Sequence, residues 1–408
     1  MITIEQPYIY NADDKCRLES KIHNGLLNKD YQIWYEVEKE YGQYLCSELA
    51  DAFLLAVLPL AAVTEQDICI HANISPKLLH NARKVHALFY ATLFEKKVIR
   101  IFADRSELVL FDGKAVATGC SMGVDSLSTI YQYSEKDCQP EYRLTHLCLF
   151  NSCQLGDLDQ DKLNQNLYEA SRSATQFANE IGLPFLLVNS NITELSKDSN
   201  LSVTQVSSYY TISCPMALQK LFGKYIMASS YHAKYVCFEK EDIMHTESVF
   251  LPLMGNENME VVLADTFKSR VDKTAAIMGN PLTPKYLDVC WATQIANMHG
   301  GGSWYLNGKK HKNCGWCDKC MRTLFTLELL DGVENYRDTF DLDKYYENRK
   351  KFITKVVAYS KIDFFYTELY ELMKKRGFPI PFLGAFLRTT GLHGLAQHIY
   401  GIVRSFRK

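Results

Sequence analysis

Two short stretches of this sequence carry residue types whose spacing suits chemistry. The first is Gly119-Cys120-Ser121-Met122-Gly123-Val124-Asp125-Ser126. It lies between a strand-like run, Ala115 to Gly119, and a helix opened by Leu127, Ile130 and Tyr131. A helix start exposes unpaired backbone N–H groups and the positive end of the helix dipole, which together attract an anion. Gly123 lets the backbone approach that anion closely, and Ser121 and Ser126 offer hydroxyl donors. Asp125 offers a carboxylate to a phosphate-bound Mg²⁺. No Gly-Lys-Ser/Thr follows, so the loop is not a Walker A motif. The second stretch is Cys314-Gly315-Trp316-Cys317-Asp318-Lys319-Cys320, a C-x2-C-x2-C spacing with Cys290 upstream. Four thiolates can surround one Zn²⁺ tetrahedrally, and four sulfur ligands leave no open position. The metal expected there is structural.

Between and around these motifs lie further polar candidates. His245-Thr246-Glu247-Ser248 follows a strand and is placed to line a nucleotide pocket; packing roles for His245 and Glu247 are the competing account. Arg270 and Lys273 are three apart, so a helix puts them on one face. There they would neutralise charge developing on an α-phosphate, or else form a solvated face. Lys319 and Arg322 are expected to attend the cysteine knuckle or a phosphate. His393 and His398 are five apart, which turns them roughly 140° from each other on a helix. Packing or solvation suits them better than a shared metal. Arg404, Arg407 and Lys408 read as a solvated terminus.

The first stretch resembles the SGGxDS signature of the PP-loop ATP pyrophosphatases. That resemblance implies that Ser121, Met122, Gly123, Val124, Asp125 and Ser126 hold the outer phosphates of ATP, with Asp125, Ser126, Arg270 and Lys273 serving the reaction. Met122 stands where that family usually has its first glycine. Cys290 followed by C-G-x-C-x-x-C is similar to the zinc-containing 7-cyano-7-deazaguanine synthases. Those enzymes activate a carboxylate with ATP, form the amide with ammonia and dehydrate it to a nitrile. The resemblance runs from about Lys114 to Leu330, and the flanking segments do not match. The whole chain looks closer to larger PP-loop proteins with an added N-terminal domain. It implies ATP, Mg²⁺ and Zn²⁺ as cofactors, a small-molecule substrate, and an ammonia- or sulfur-donor partner. The implied activity is ligase-type: adenylation of a carboxylate with release of pyrophosphate. A tRNA-thiolating enzyme and a non-catalytic nucleotide binder are the other classes compatible with these residues.

The elements that must position these groups follow from periodicity. Tyr31 to Val37 and Asp67 to Ala72 read as strands. Ser75 as N-cap and Pro76 at the first position open a helix with Leu79, Ala82, Val85, Phe89 and Leu93 on its apolar face. From Lys114 the rhythm is strand–helix alternation. Leu144 to Phe150, Phe185 to Asn189, Tyr225 to Ala228 and Met259 to Leu263 are strands. Leu163, Leu167, Ala170, Ala174, Phe177 and Ile181 trace a helix that Gly182 stops. This order predicts an α/β fold with a doubly wound parallel sheet; the resemblance to the PP-loop proteins implies the adenine nucleotide alpha hydrolase (HUP-like) kind. Its ligand is expected at the carboxyl ends of the strands. The predicted domains are an α+β segment 1–105, a PP-loop segment 112–330 and a helical extension 331–408.

Composition fits a globular chain: 408 residues, 47% hydrophobic and 23% charged, ample for more than one domain. A net charge of −2 gives no general attraction to nucleic acid or acidic membranes. The start MITIEQPYIYNADDK lacks the pattern of a secretory signal. The apolar run Ala52 to Val63 is too short to span a bilayer. A cytoplasmic location is the expectation. Thirteen cysteines, an odd number, argue against a disulfide scaffold. Cys16, Cys46, Cys69, Cys120, Cys138, Cys148, Cys153, Cys214 and Cys237 read mostly as small buried hydrophobes.

Overall fold

The computed structural model describes residues 1–152, 160–199, 201–290 and 311–391. Cys153, His393, His398 and the terminal Arg404, Arg407 and Lys408 lie outside the described residues. The chain divides into two compact units: Met1–Ser121 with Thr129–Phe267, and Met122–Ser128 with Lys268–Lys408. The first unit thus joins the 1–105 segment to much of the 112–330 segment.

The first unit is built on one 11-stranded sheet. Its strands are β1 (Ile2–Ile4), β2 (Tyr8–Asn11), β3 (Lys15–Asn24), β4 (Lys29–Glu38), β5 (Ile68–Asn73) and β6 (Ile101–Arg105), then β7 (Ala115–Gly119), β8 (His146–Phe150), β9 (Phe185–Ser190), β10 (Phe222–Ala228) and β11 (Glu260–Ala264). The order across the sheet is β11-β10-β7-β8-β9-β4-β3-β1-β5-β6, with β2 beside β3. β7 to β11 are all parallel to one another. The chain steps from β7 to β8 to β9 in one direction, then crosses back to lay β10 on the other side of β7. That reversal makes β7 a topological switch point, where open α/β sheets bind ligands beyond the strand ends. The fold is therefore α/β with a large, mostly parallel sheet.

The sheet does not end with the alternating region. β4 pairs antiparallel with β9, Tyr35 opposite Ser190 and Glu36 opposite Asn189. The Asn191 side chain extends this join, accepting from the Trp34 N–H at 2.9 Å and donating to the Gln32 carbonyl at 2.8 Å. The apolar run at Ala52 forms the helix Asp51–Val63, with Ala52 to Ala62 wholly buried. It packs on the helix Val203–Met216. A helix apolar on every side belongs inside a core. Among the described residues no helix is long and apolar enough to cross a membrane.

Ser75 does occupy an N-cap position with Pro76 next to it, but its side chain makes no capping bond. The hydroxyl donates instead to the buried carboxylate of Asp51, which also accepts from the Ser75 N–H at 3.0 Å. A buried carboxylate needs donors more than the helix end needs an acceptor. Asn256 adds a bond to the same carboxylate at 2.5 Å. Burial pushes the Asp51 carboxyl above the usual range despite these donors.

The second unit is helical after the cysteine motif, as the sequence predicts. Its helices include Arg270–Met278, Asp318–Leu329, Leu342–Tyr359, Phe364–Lys375 and Phe382–Thr390. Phe325 supplies an edge-on contact to both Phe352 and Phe378, joining two of these helices to the connection that follows Lys375.

Candidate anion and metal site

The glycine-containing loop leaves β7 and enters the helix Val124–Ser134. Met122 takes φ +61°, in the left-handed region, and is buried at 3% exposure. A side chain there costs about 1–2 kcal/mol relative to the right-handed form, which glycine avoids. The backbone of the loop thus has the conformation that a glycine would favour, held by a methionine anchored in the core.

Asp125, in the first turn of that helix, faces two cations. Its Oδ2 lies 2.7 Å from Arg270 Nη2, and its Oδ1 lies 3.3 Å from Lys273 Nζ. Lys273 is almost wholly buried, at 1% exposure. Both cations belong to the helix Arg270–Met278, near its N-terminal end. Cations are disfavoured at that end by the helix dipole, so their placement costs stability rather than adding to it. A capping box offsets part of the cost: Ser269 Oγ accepts from the Asp272 N–H at 3.0 Å, and Asp272 Oδ2 accepts from the Ser269 N–H at 3.0 Å. Glu368 takes the Arg270 N–H at 2.9 Å.

Two more cations join them. Lys319 and Arg322 sit in the first turns of the helix Asp318–Leu329. Phe365 carries the Arg322 guanidinium 4.1 Å from its ring centre and that of Arg270 at 5.4 Å. Surrounding protein, then the charges of Arg270 and Arg322, lower the Lys319 ammonium pKa, although the side chain keeps contact with solvent. Asp318 balances part of this charge, bonded by Lys355 at 2.8 Å and the Tyr366 hydroxyl at 2.5 Å. Arg270, Lys273, Lys319, Arg322 and Lys355 against Asp125, Asp272, Asp318 and Glu368 leave a surplus of one positive charge beside a helix start, which suits an anion. The Nε of Arg270 is buried without a hydrogen-bond partner, which fits a missing acceptor.

Cys290, Cys314, Cys317 and Cys320 come together as the spacing predicts. Their sulfurs all lie within 4.8 Å of one another. Cys314 Sγ and Cys320 Sγ are 3.9 Å apart. A tetrahedral Zn²⁺ with sulfurs at about 2.3 Å sets them about 3.8 Å apart, so the cluster could bind a metal ion such as zinc. Gly315 has φ +74°, and a Cβ there would meet the Asp341 carbonyl at 2.0 Å. The Cys317 N–H donates to Cys314 Sγ at 3.2 Å, a bond that stabilises a thiolate. The neighbouring thiols hold Cys317 well below the usual thiol range and Cys290 at about 6.

A buried asparagine fastens the cysteine segments together. Asn313 accepts from the Val289 N–H at 2.8 Å and donates to the Leu287 carbonyl at 2.9 Å. The Asp288 N–H donates to the Met122 carbonyl at 2.9 Å, tying the Cys290 segment to the phosphate-type loop. Reading the sequence by motif does not assign this role to Asn313 or Asp288.

His245 and Glu247 belong to the first unit. His245 stacks on Tyr231 with ring centres 3.8 Å apart. Glu247 is buried and accepts from Ser208 Oγ at 2.6 Å. Ser229, Tyr231, His245 and Glu247 line a crevice near the carboxyl end of β10. Of the scattered cysteines, Cys16, Cys46, Cys120, Cys148 and Cys214 are buried, while Cys69, Cys138 and Cys237 are partly exposed. None of the described cysteines forms a disulfide.

Comparison with protein-family models, curated proteins and solved structures finds no match.

Proposed function

We propose that this chain is a PP-loop ATP pyrophosphatase on a HUP-like sheet. It binds ATP with the β- and γ-phosphates against residues 121–126 and adenylates a small-molecule carboxylate. The observation that carries this reading is the pairing of Asp125, in the first turn after β7, with both Arg270 and Lys273. A carboxylate with two cations at a helix start is a stand-in for phosphate oxygen: a triphosphate would take over Arg270 and Lys273. Asp125, so released, would be available to a Mg²⁺ ion accompanying the nucleotide. In the reaction the substrate oxygen attacks the α-phosphorus, the bond to the β-phosphate oxygen breaks, and pyrophosphate leaves with its charge held by loop N–H groups, Arg270 and Lys273. Ammonia or an amine then captures the acyl-adenylate, releasing AMP.

The four cysteines serve this site by holding a structural zinc. The metal would fix the segment ending at Cys290 and the start of the Lys319–Arg322 helix. Its chemistry is charge and geometry only, since all four ligands are sulfur.

Equilibrium dialysis of the full chain with radiolabelled ATP and Mg²⁺ tests the nucleotide assignment. Binding is expected in the wild-type chain, with affinity at least about tenfold weaker in Arg270→Ala, the loss of one charge-assisted contact. Equal affinity in the two proteins would remove the basis for this reading.

A further inference from the structure

A second set of metal-type ligands lies in the first unit, apart from the four-cysteine cluster. Cys237, Glu239 and His245 each offer one ligand atom, and these atoms lie within 4.8 Å of one another. Glu239 Oε2 and His245 Nε2 are 3.7 Å apart. Around a tetrahedral Zn²⁺, with sulfur at about 2.3 Å and nitrogen or oxygen at about 2.0–2.1 Å, neighbouring donors are about 3.3–3.6 Å apart. The nitrogen–oxygen pair is nearly there. The remaining adjustment falls on Glu239, whose half-exposed side chain is free to make it.

The local structure holds the histidine ring in place. Cys237 and Glu239 are two apart on the connection that follows the turn Ala233–Tyr235. His245 lies in the turn Ile243–Thr246, which Asp242 caps by accepting the Met244 N–H at 3.0 Å. The same Asp242 accepts the Tyr231 hydroxyl at 2.8 Å, and Tyr231 stacks on the His245 ring at an interplanar angle of 20°. The stacked Tyr231 ring restrains the plane of the imidazole. Glu239 and Asp242 also gather negative charge around the Cys237 sulfur, which a cation would neutralise.

We propose that Cys237, Glu239 and His245 bind a zinc-type divalent cation. Thiolate, imidazole and carboxylate are the ligand types of a borderline-soft ion, and three protein ligands leave one position for water or a substrate atom. Tyr231 and His245 also line the crevice near the carboxyl end of β10. The site differs in kind from the four-cysteine cluster, which has no such vacancy, and it stands whether or not the chain cleaves ATP.

The test is metal content. The full chain is loaded with excess Zn²⁺, desalted and measured by plasma mass spectrometry, alongside Cys237→Ser and Glu239→Gln. The expected result is one equivalent less zinc in Cys237→Ser than in the wild type, with unchanged circular dichroism. Co²⁺ loading gives a second readout: the Cys237→Ser chain should lack the part of the thiolate charge-transfer absorption that remains in Cys314→Ser. Equal zinc content in wild type and Cys237→Ser, or Co²⁺ spectra that do not change with Cys237, would overturn the proposal. Glu239→Gln keeps the thiol and removes the carboxylate, so zinc retention at wild-type strength there would remove Glu239 from the ligand set.

Discussion

Asp125 Oδ2 lies 2.7 Å from Arg270 Nη2, and the partners are 145 positions apart (270 − 125). The contact ties the first turn after β7 to a helix that carries two cations at its unfavourable end. Lys273, the second cation, has 2% of its side chain exposed, and Asp125 supplies part of the compensation for its charge.

Removing that compensation has a definite signature. Asp125→Asn takes one carboxylate away from a buried ammonium and is expected to cost about 2–3 kcal/mol. Asp125→Asn combined with Lys273→Met should cost less than Asp125→Asn alone, because the cation that lost its carboxylate is gone as well. Urea denaturation of the two variants measures the difference. A double variant no more stable than the single one would show that the ion pair does not carry the effect.

The loop backbone makes a second prediction. Met122 is both left-handed and buried, so Met122→Ala loses packing while keeping the strain. Met122→Gly loses slightly more packing but relieves the strain. Met122→Gly should therefore be more stable than Met122→Ala by about 1 kcal/mol. The order of their urea midpoints decides it, and Ala above Gly would mean that the loop does not hold the left-handed form in solution.

The cysteine cluster predicts metal-dependent stability in the second unit. Gly315→Ala forces a Cβ into the Asp341 carbonyl and should release the metal from the four-cysteine site. Purified wild-type protein should yield zinc to a mercurial reagent as its thiols are titrated, and the Gly315→Ala chain should yield less. Equal release would mean that the turn tolerates the side chain.

Acid sensitivity should trace to His86, in the interior of the first unit. Its ring is fully buried, with Nδ1 2.9 Å from the Tyr209 hydroxyl and Nε2 3.1 Å from the Leu253 carbonyl. The carbonyl can only accept, so Nε2 carries the proton and Nδ1 accepts from Tyr209. Burial lowers the imidazolium pKa to about 4, from an ordinary 6.5. The unfolded chain thus takes up a proton at higher pH than the folded one. Stability is full above about pH 6.5 and falls as the pH drops towards 4, by about 3 kcal/mol from this residue. His86→Gln, which keeps an amide donor and acceptor, should flatten that part of the stability–pH curve. An unchanged slope would assign the loss to other groups.

Local features were the legible ones. The strand, loop and helix around Ser121–Ser126 could be read because turn residues, apolar runs and a helix start are written within a dozen positions. Gly182 ends its helix at φ +72°, as its place after Ile181 suggests. The cysteines assembled because C-x2-C-x2-C restricts three of them to one turn. What joined distant segments was not legible. β3 was missed because its sequence, KCRLESKIHN, is rich in charge, although Cys16, Leu18 and Ile22 alternate into the core. Asp51 and Asn256 meet across 205 positions. Arg270 and Lys273 could be given a common face by their spacing, but the depth of Lys273 depends on which segments pack over it. Asn313 directly precedes Cys314, yet an asparagine beside a ligand carries no sequence mark of its bonds to Leu287 and Val289, which join the Cys290 and Cys314 segments.

The position of cleavage in ATP tests the central claim most directly. The full chain is incubated with Mg²⁺, ATP labelled at the α-phosphate and a pool of small carboxylic acids, with hydroxylamine to trap acyl-adenylates. The account predicts labelled AMP, pyrophosphate in equal amount and hydroxamate formation, all lost in Arg270→Ala. Labelled ADP with inorganic phosphate would contradict it, because the break would then lie at the β–γ bond.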